Sequence, residues 1–250
     1  MPFGGHGADP GKTSVMEARI GTAGWSIPAA ARAAFPGEGS LLERYAARFE
    51  AVEINSSFYR PHRPATYARW AASTPPAFRF AVKMPREITH TLRLIDFEGP
   101  LERFLEESAQ LGEKRGVILV QLPPSLAHDR RRDAAFFERL RSRCATPIAC
   151  EPRHASWFTA DADALLRALG VARVAADPAI VPAAAIPGGS DALTYFRLHG
   201  SPQMYRSAYA PPALAQIAQQ LQARRGPAWC IFDNTTFGAA TVDALALSAA

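Results

Sequence analysis

The stretch PLERFLEESAQLGEKRGVILVQL, residues 100–122, contains the structural unit from which the fold can be inferred. Its first part, 100–111, places apolar residues at helical spacing, which is typical of an amphipathic helix. After a short polar turn, GVILVQL (116–122) is a continuous apolar run of the length of a buried strand. A helix followed by such a strand is typical of a parallel sheet that is covered by helices.

The same unit recurs in both directions from this stretch. Eight short apolar runs are candidate strands: 18–22, 51–55, 78–83, 116–122, 147–151, 171–177, 193–199 and 228–234. Amphipathic segments lie between most of these runs or after the last one: 40–49, 65–73, 100–111, 131–143, 161–169, 212–224 and 239–249. Eight strand–helix units in a chain of 250 residues predict an α/β fold, a single TIM-like (β/α)8 barrel.

Two segments depart from this regular pattern. Residues 178–190, PAIVPAAAIPGGS, contain three prolines and predict an irregular sixth helix region, a loop or a single turn. Residues 1–16 are glycine-rich and lack the apolar core of a signal peptide, so they are predicted to be a flexible N-terminal leader. No change of composition divides the rest, and residues 17–250 are predicted to form one barrel domain.

Local signals predict some of the helix ends. Ser40 and Glu43 have the spacing of a capping box. Asp161 is a candidate N-cap of the fifth helical segment, and Gly170 follows that segment as a C-terminal glycine.

Composition excludes several classes of protein. With 48% hydrophobic and 20% charged residues, the chain is neither disordered nor membrane-spanning. A net charge of +5 favours a solvated surface over a nucleic-acid footprint. Three cysteines without zinc-ligand spacing predict a reduced, cytoplasmic protein. Only three of the 28 basic residues are lysines (Lys12, Lys83 and Lys114), so the position of each lysine is informative.

Polar residues close seven of the eight apolar runs. Side chains of a barrel strand alternate between the interior and the helix layer, and active sites form at the carboxyl ends of the strands. The inward or strand-end polar residues are Glu53, Asn55, Lys83, Gln121, Glu151, Arg153, Asp177, Arg197, His199, Asp233 and Asn234. Because an unpaired buried charge is costly, these residues predict a pocket for a polar ligand.

Four of these residues are candidate catalytic residues. Glu53 and Glu151 are candidates for an acid–base pair across the barrel mouth, and His199 is titratable. Lys83 could hold an anion, act as a base, form a Schiff base or only pair with a carboxylate. The other residues of the set, with Trp25, Tyr59 and His90 from adjacent loops, are candidate substrate-binding residues. Carboxylates and cations together suit a polyhydroxylated or phosphorylated small molecule.

Aromatic residues follow several strands at the same end. Trp25, Phe58, Tyr59, Trp157 and Tyr205 could stack on a sugar ring or a base, or only anchor the loops. The sequence requires no cofactor. A bound divalent metal stays possible, because five candidate ligands lie at this end of the strands: His90, Glu151, Asp177, His199 and Asp233. No histidine pair has the spacing of a metal site, so no residue is assigned as a ligand.

Six stretches, in order from about residue 18 to the C-terminus, resemble the DUF72 (YecE-like) family: GTAGWS (21–26), VEINSSFY (52–59), FAVKMPREITH (80–90), EPRHASWF (151–158), YFRLHG (195–200) and FDNT (232–235). The resemblance implies a TIM-barrel-like fold and no settled activity, because the function of that family is unknown. The chain departs from the family pattern after Trp25 and after Gly200, where Ser201-Pro202 stands in place of a frequent arginine. Both departures lie in loops expected to cover the mouth, so they bear on the substrate.

Three functions stay open at this point. The first is an enzyme, of hydrolase or lyase/isomerase type, with acid–base chemistry on a sugar, sugar phosphate or other polar anionic metabolite. The second is a nucleic-acid-binding or nuclease-like barrel similar to apurinic endonucleases, although those hold histidine-rich metal clusters and this chain has six histidines. The third is a non-catalytic metabolite-binding protein. No membrane partner is expected, and the oligomeric state is open.

Overall fold

The computed structural model describes residues 18–224 and 226–249, so the predicted leader 1–16 lies outside the described residues. The helices and strands of the described residues alternate along most of the chain: β1 (Ala18–Thr22), α1 (Leu41–Ala46), β2 (Ala51–Ile54), α2 (Pro64–Ala72), β3 (Arg79–Lys83), α3 (Glu98–Ser108), β4 (Arg115–Gln121), α4 (Arg130–Arg143), β5 (Ile148–Glu151), α5 (Ala160–Ala168), β6 (Val171–Arg173), β7 (Ala175–Asp177), β8 (Gly188–Gly189), β9 (Thr194–Leu198), α6 (Pro211–Gln222), β10 (Ala228–Phe232) and α7 (Ala239–Ser248). Within these ranges no helix is both long and apolar enough to cross a membrane.

The strands form two sheets, with the orders β1-β10-β9-β7 and β2-β3-β4-β5-β6-β8. The pairs are parallel, apart from the two-residue β8, which runs antiparallel to β6. The prediction of an α/β fold with parallel strands is confirmed. The predicted single closed sheet is not seen as such, because continuous pairing stops at two junctions.

At the first junction, β1 and β2 share a single parallel bridge between Ala23 and Glu53. The backbone N–H of Gly24 donates to the Glu53 carbonyl at 2.8 Å. The strands approach closely, since a Cβ at Gly21 would collide with the Ala51 carbonyl oxygen. At the second junction, β6 and β7 are consecutive pieces of one stretch: β6 pairs with β5, whereas β7 pairs with β9.

Alternation along the strands sorts the apolar side chains into two clusters. The larger cluster joins outward strand residues such as Val52 and Val82 to helix residues such as Phe104. The smaller cluster consists of residues on the opposite face of the strands: Ala23, Ala51, Ala81, Val117, Leu119, Ala149, Ala172, Val174, Leu193, Tyr195, Trp229 and Ile231. Since successive residues point to opposite faces, Glu53 lies on the side of this smaller cluster.

The structure tests the predicted helix ends one by one. The capping box is present, with Glu43 N–H donating to Ser40 Oγ at 3.3 Å and Ser40 N–H to Glu43 Oε2 at 2.7 Å. Gly170 follows α5 with a positive φ of 64°, as a C-terminal glycine should. The N-cap prediction for Asp161 is wrong. Thr159 has the extended backbone of a cap, and its hydroxyl accepts from Ala162 N–H at 3.3 Å, so Asp161 falls in the first turn.

The sixth helix region is irregular, as predicted. Residues 178–190 contain one 3₁₀ turn, Pro182–Ala185, and the short strand β8. Without a helix here, a cavity of about 300 Å³ lies between the sheet and α6, with lining residues that include Phe196, Leu198 and Ile217. The helix layer is therefore incomplete beside β7 and β9.

Candidate functional site

The carboxyl ends of four strands bring together a buried cluster of charged side chains. Glu53 lies in β2, Glu151 ends β5, Arg197 lies in β9, His199 follows β9 and Asp233 follows β10. Four of these residues are 0% exposed and Asp233 is 5% exposed. They are spread over 181 sequence positions from Glu53 to Asp233, yet strand alternation and parallel pairing place them in one contiguous network.

Arg197 is the centre of this network. Its Nε and Nη2 donate to the two carboxylate oxygens of Glu53, at 3.0 and 2.8 Å. Its Nη1 donates to Glu151 Oε2 at 3.0 Å, and its Nη2 lies 2.9 Å from Asp233 Oδ2. The hydroxyl of Tyr195 donates to Glu53 Oε2 at 3.1 Å. One guanidinium thus forms ion pairs with three buried carboxylates through the fork geometry that arginine provides.

His199 and Arg153 complete the network on the side of Glu151. The two ring nitrogens of His199 lie 2.9 Å from Glu151 Oε1 and 3.0 Å from Asp233 Oδ2. Arg153 donates from Nε to Glu151 Oε1 at 2.8 Å, and its Nη2 is 3.0 Å from His199 Nε2. The Glu151 carboxylate is therefore shared by two arginines and one histidine.

The electrostatics of the cluster keep Glu151 and Asp233 ionised. Burial by itself raises the pKa of Glu151, but the Arg153 and Arg197 guanidiniums and His199 outweigh it and hold that pKa well below its usual range. Burial also opposes ionisation of Asp233, and Arg197 and His199 lower its pKa in the same way. Both groups are anions at neutral pH. The predicted acid–base pair, Glu53 and Glu151, consequently meets through Arg197 rather than across open space.

Lys83 lies beside this network at the end of β3 and is 4% exposed. Its Nζ donates to Asn55 Oδ1 at 3.0 Å and sits 4.1 Å from the centre of the Phe58 ring. Burial, assisted by the positive charge of Arg197, lowers the pKa of Lys83 to about 8 despite the attraction of nearby carboxylates. Within residues 18–224 and 226–249, the cluster's carboxylates form their ion pairs with arginine and histidine and none with Lys83.

His90 is half-buried in the loop after β3. Its Nδ1 lies 2.8 Å from Thr89 Oγ1, and its ring meets the Phe58 ring edge-on at 5.0 Å. Burial, followed by the charges of Lys83, Arg86 and Arg153, lowers its pKa to about 4. His90 is therefore a neutral imidazole that is surrounded by cations.

The other predicted binding residues fall into two groups. Tyr59, 69% exposed, packs on Phe58, while Gln121 ends β4 in register with Glu151. Trp25 instead stacks edge-on against Trp70 at 5.1 Å, on the side of α2, where the structure gives it no contact with the charged cluster.

Asp177 and Asn234 hold the loop that follows β9. Asp177 Oδ2 accepts from the Tyr209 hydroxyl at 2.7 Å. Asn234 Nδ2 donates to the Ser207 carbonyl at 2.8 Å and to Asp243 Oδ2 at 2.7 Å. The Asn234 Oδ1 atom is buried and has no partner in the described part of the chain. In the structure these two predicted binding residues position the loop 200–209.

Three residues of this region, Tyr195, Tyr209 and Asp243, are not among the predicted site residues. Tyr195 could have been included, because it precedes Arg197 and His199 at the same two-residue spacing. Tyr209 and Asp243 carry no local signal, since their role arises from contacts across the fold.

Two of the aromatic residues that were expected at the mouth differ in environment. Tyr205 has a positive φ of 66° and places its ring edge-on to His199 at 5.6 Å. Trp157 is fully buried, and its Nε1 donates to the Leu126 carbonyl at 2.9 Å, so it anchors a loop.

Three of the five candidate metal ligands, Glu151, His199 and Asp233, meet in the buried cluster, whereas His90 and Asp177 have other partners. Within the described ranges, no group of three or more histidine, cysteine, aspartate or glutamate residues is arranged to hold a metal ion. Glu151, His199 and Asp233 are engaged with one another and with arginine, whereas His90 pairs with Thr89 and Asp177 with Tyr209.

Comparison with known proteins gives one family. The model of DUF72, described as a protein of unknown function, matches residues 19–250. The UPF0759 protein YecE of Escherichia coli K12 is 33% identical over 104 residues, 42% of this chain and 37% of YecE. The UPF0759 protein YunF of Bacillus subtilis is 26% identical over 147 residues, 56% of this chain and 52% of YunF. The matches thus span about half or less of these relatives.

Two solved structures share the fold over nearly the whole chain. A DUF72 family protein of Enterococcus faecalis superposes with a TM-score of 0.78 at 20% identity, covering 93% of this chain and 94% of that one. A DUF72 family protein of Thermotoga maritima gives a TM-score of 0.76 at 25% identity, covering 93% of this chain and 98% of that one.

Proposed function

This chain belongs to the DUF72 family, and on that premise we propose that it is an enzyme with acid–base chemistry on a small anionic metabolite, such as a sugar phosphate. The observation that carries the proposal is the division of the site into two parts. The carboxylates are buried and saturated by Arg197, Arg153 and His199, while the neighbouring cations Lys83 and Arg86 pair with none of the cluster's carboxylates in the described part of the chain.

The fold supports a single mouth for this site. We infer that the two sheets together act as a closed eight-stranded barrel, since they are joined at the Ala23–Glu53 bridge and by the shared stretch 171–177. Such closure would place the carboxyl ends of all the parallel strands around one opening, where enzymes of this architecture carry their active sites.

The hydrogen-bonding groups that remain available favour an anion. Lys83 Nζ uses one of its three hydrogens, on Asn55, and Nη1 of Arg153 has no partner among the residues that the structure describes. An entering ligand therefore meets donors. Phosphate, carboxylate and hydroxyl oxygens accept from such donors, and arginine binds the first two with a matching geometry.

The proposal assigns different roles to the charged residues. Glu53 and Glu151 hold Arg197 in place, because their oxygens are occupied by its guanidinium and by the neighbours Tyr195 and His199. Proton transfer falls to Lys83, whose pKa of about 8 lies near neutral pH, while His199 is held between Glu151 and Asp233. Arg153 binds the anionic group of the ligand.

A non-catalytic binding protein is the second candidate function. The same saturation of Glu53 and Glu151 favours it, because neither carboxylate is free to accept a proton from a ligand. Such a protein would bind the metabolite without converting it. The two candidates share the ligand and differ in turnover.

Binding and turnover can be measured in one set of experiments. We expect glucose 6-phosphate or ribose 5-phosphate to raise the melting temperature and the corresponding neutral sugars to have little effect. Arg153→Met should lower the affinity for the sugar phosphate at least tenfold. Arg130→Met, which removes an exposed ion pair with Asp161, is the matched control and should bind normally. Stabilisation by neutral sugars alone, or by duplex DNA alone, would refute the proposal. NMR of the bound compound over time separates an enzyme from a binding protein.

A further inference from the structure

The two lysines that the structure describes make opposite use of their amino groups. Lys114 Nζ donates three hydrogen bonds, to the carbonyl oxygens of Ala71 and Thr74, each at 2.6 Å, and to Thr74 Oγ1 at 3.1 Å. Lys83 Nζ donates one, to Asn55 Oδ1. Lys114 therefore has a structural role, whereas the amine of Lys83 is left largely uncommitted.

The surroundings of Lys83 make its ammonium group easier to deprotonate than that of an ordinary lysine. It is 4% exposed, and the nearby carboxylates are already paired with Arg197, Arg153 and His199. A buried ammonium group without a counter-ion tends to lose its proton. A neutral lysine amine has a free electron pair and is a nucleophile.

The charged and titratable groups that face Lys83 come from several elements. Arg197 on β9 opposes the ammonium form, while Glu53 on β2, Asp233 after β10 and Glu151 on β5 favour it. His90, on the loop that follows Lys83, is neutral and so leaves the balance unchanged. Burial, followed by the positive charge of Arg197, prevails, since the pKa of Lys83 is lowered to about 8.

We propose that Lys83 is a covalent nucleophile that forms an imine with an aldehyde or ketone carrying a carboxylate or phosphate group. This inference rests on the proposed function and narrows its substrate class to carbonyl-bearing anions. Arg153, whose Nη1 has no partner among the described residues, and the exposed Arg86 would bind the anionic group while Lys83 meets the carbonyl carbon.

The reaction balances without a further reactant. The electron pair of the neutral amine forms a bond to the carbonyl carbon, and the carbon–oxygen double bond gives its electrons to oxygen. Both hydrogens of the amine leave with that oxygen as one molecule of water, and a carbon–nitrogen double bond remains. When this imine takes up a proton, the Phe58 ring face stabilises the cation and Asn55 Oδ1 accepts the new N–H.

Reductive trapping on the full chain tests this proposal. The wild-type protein is incubated with pyruvate or glyceraldehyde 3-phosphate at low concentration and sodium cyanoborohydride, then digested and mapped by mass spectrometry. The chain has only three lysines, Lys12, Lys83 and Lys114, so the modified residue is identified directly. We expect a mass gain of the carbonyl compound less one oxygen atom on Lys83, at least tenfold above Lys114, and its loss in Lys83→Arg.

The possible outcomes separate this proposal from the proposed function. Equal labelling of the lysines, or no labelling of Lys83 by a compound that raises the melting temperature, overturns the imine and leaves the anion-binding site standing. Preferential labelling of Lys83 by neutral propanal as strongly as by the anionic compounds supports the nucleophile but removes the anionic substrate class. Labelling that grows with pH and levels off above about pH 8 supports the proposal.

Discussion

Arg197 binds both carboxylate oxygens of Glu53, through Nε at 3.0 Å and Nη2 at 2.8 Å. The two residues lie 144 positions apart and belong to different sheets, since Arg197 is on β9 and Glu53 on β2. Arg197 also reaches Glu151 on β5 of the second sheet. These buried ion pairs therefore tie the two sheets together within the candidate site.

Removal of Arg197 should destabilise the fold strongly. Arg197→Met leaves three buried carboxylates without their shared cation, and we expect the free energy of unfolding to fall by about 3–5 kcal/mol. Arg130→Met, at an exposed ion pair, should cost less than about 1 kcal/mol. Urea denaturation at neutral pH measures both. An equal loss of unfolding free energy in the two variants would show that the buried ion pairs of Arg197 do not hold the sheets together.

Acid should weaken the protein partly through Glu151. Its pKa in the folded state is depressed from 4.5, chiefly by Arg153 and Arg197 against the effect of burial, so its contribution is present above about pH 4.5 and is lost as the pH falls through the folded value. Glu151→Gln should be less stable than wild type at pH 7, and the difference should narrow below about pH 4. Denaturation curves across this range provide the measurement, and a constant difference would contradict the expectation.

Lys83 should make the protein less stable at neutral pH. Because its pKa is lowered from 10.5 to about 8, the folded state binds fewer protons than the unfolded state between these values, and stability rises with pH across that window. Lys83→Met should be about 1–3 kcal/mol more stable than wild type at pH 7, with the gap closing toward pH 10. Denaturation at several pH values tests this. A variant that is less stable by the same amount at every pH would show that Lys83 is a structural residue.

Tyr205 should affect ligand binding more than stability. Its ring is 40% exposed and meets His199 edge-on at 5.6 Å. Tyr205→Ala is expected to weaken binding of a sugar phosphate by about threefold to tenfold, the effect of one lost aromatic contact, at little cost in stability. Phe237→Ala removes a more exposed ring, 72% accessible, and serves as the control in the same calorimetric titration. Similar losses in both variants would argue against a specific role of Tyr205.

The junction between the sheets can be tested at Gly21. A Cβ there would collide with the Ala51 carbonyl oxygen, so Gly21→Ala should lower the free energy of unfolding by about 1–3 kcal/mol. A Cβ added at Gly99 in α3 would meet no other atom within 4 Å, so Gly99→Ala should be neutral or raise stability by up to about 1 kcal/mol. Thermal or urea denaturation measures both variants. If Gly21→Ala left the free energy of unfolding unchanged, β1 and β2 would be able to move apart without cost.

Much of the site follows from the period of the strands. In the run around Glu53, the apolar neighbours Val52 and Ile54 belong to the helix-facing cluster, which directs Glu53 to the other face. The same alternation brings Tyr195, Arg197 and His199 to one side of β9. This alternation does not determine which inward residues form ion pairs with one another. Pairing with a carboxylate was one of the roles left open for Lys83, and in the structure Glu53 pairs with Arg197 instead.

In the irregular segments, too, the local structure was predictable from sequence and the long-range contacts were not. Three prolines within 178–190 exclude a regular sixth helix, and the structure has only a 3₁₀ turn there. The roles of Asp177 and Asn234 could not be inferred from the sequence, because their partners Tyr209 and Asp243 lie in a loop and a helix elsewhere in the chain. Local steric rules act along the backbone, whereas such contacts depend on how distant elements pack.

The sequence by itself determined the alternation of strands and helices, the face to which each strand residue points, and the polar character of the carboxyl ends. These follow from backbone geometry and hydrophobic burial, which act over a few residues. Only the tertiary structure decided that the strands pair as two joined sheets, that Arg197 pairs with three carboxylates, and that Lys83 forms no direct ion pair with the described residues. Ion pairing depends on distances of about 3 Å between residues far apart in sequence, and those distances exist only once the strands are assembled.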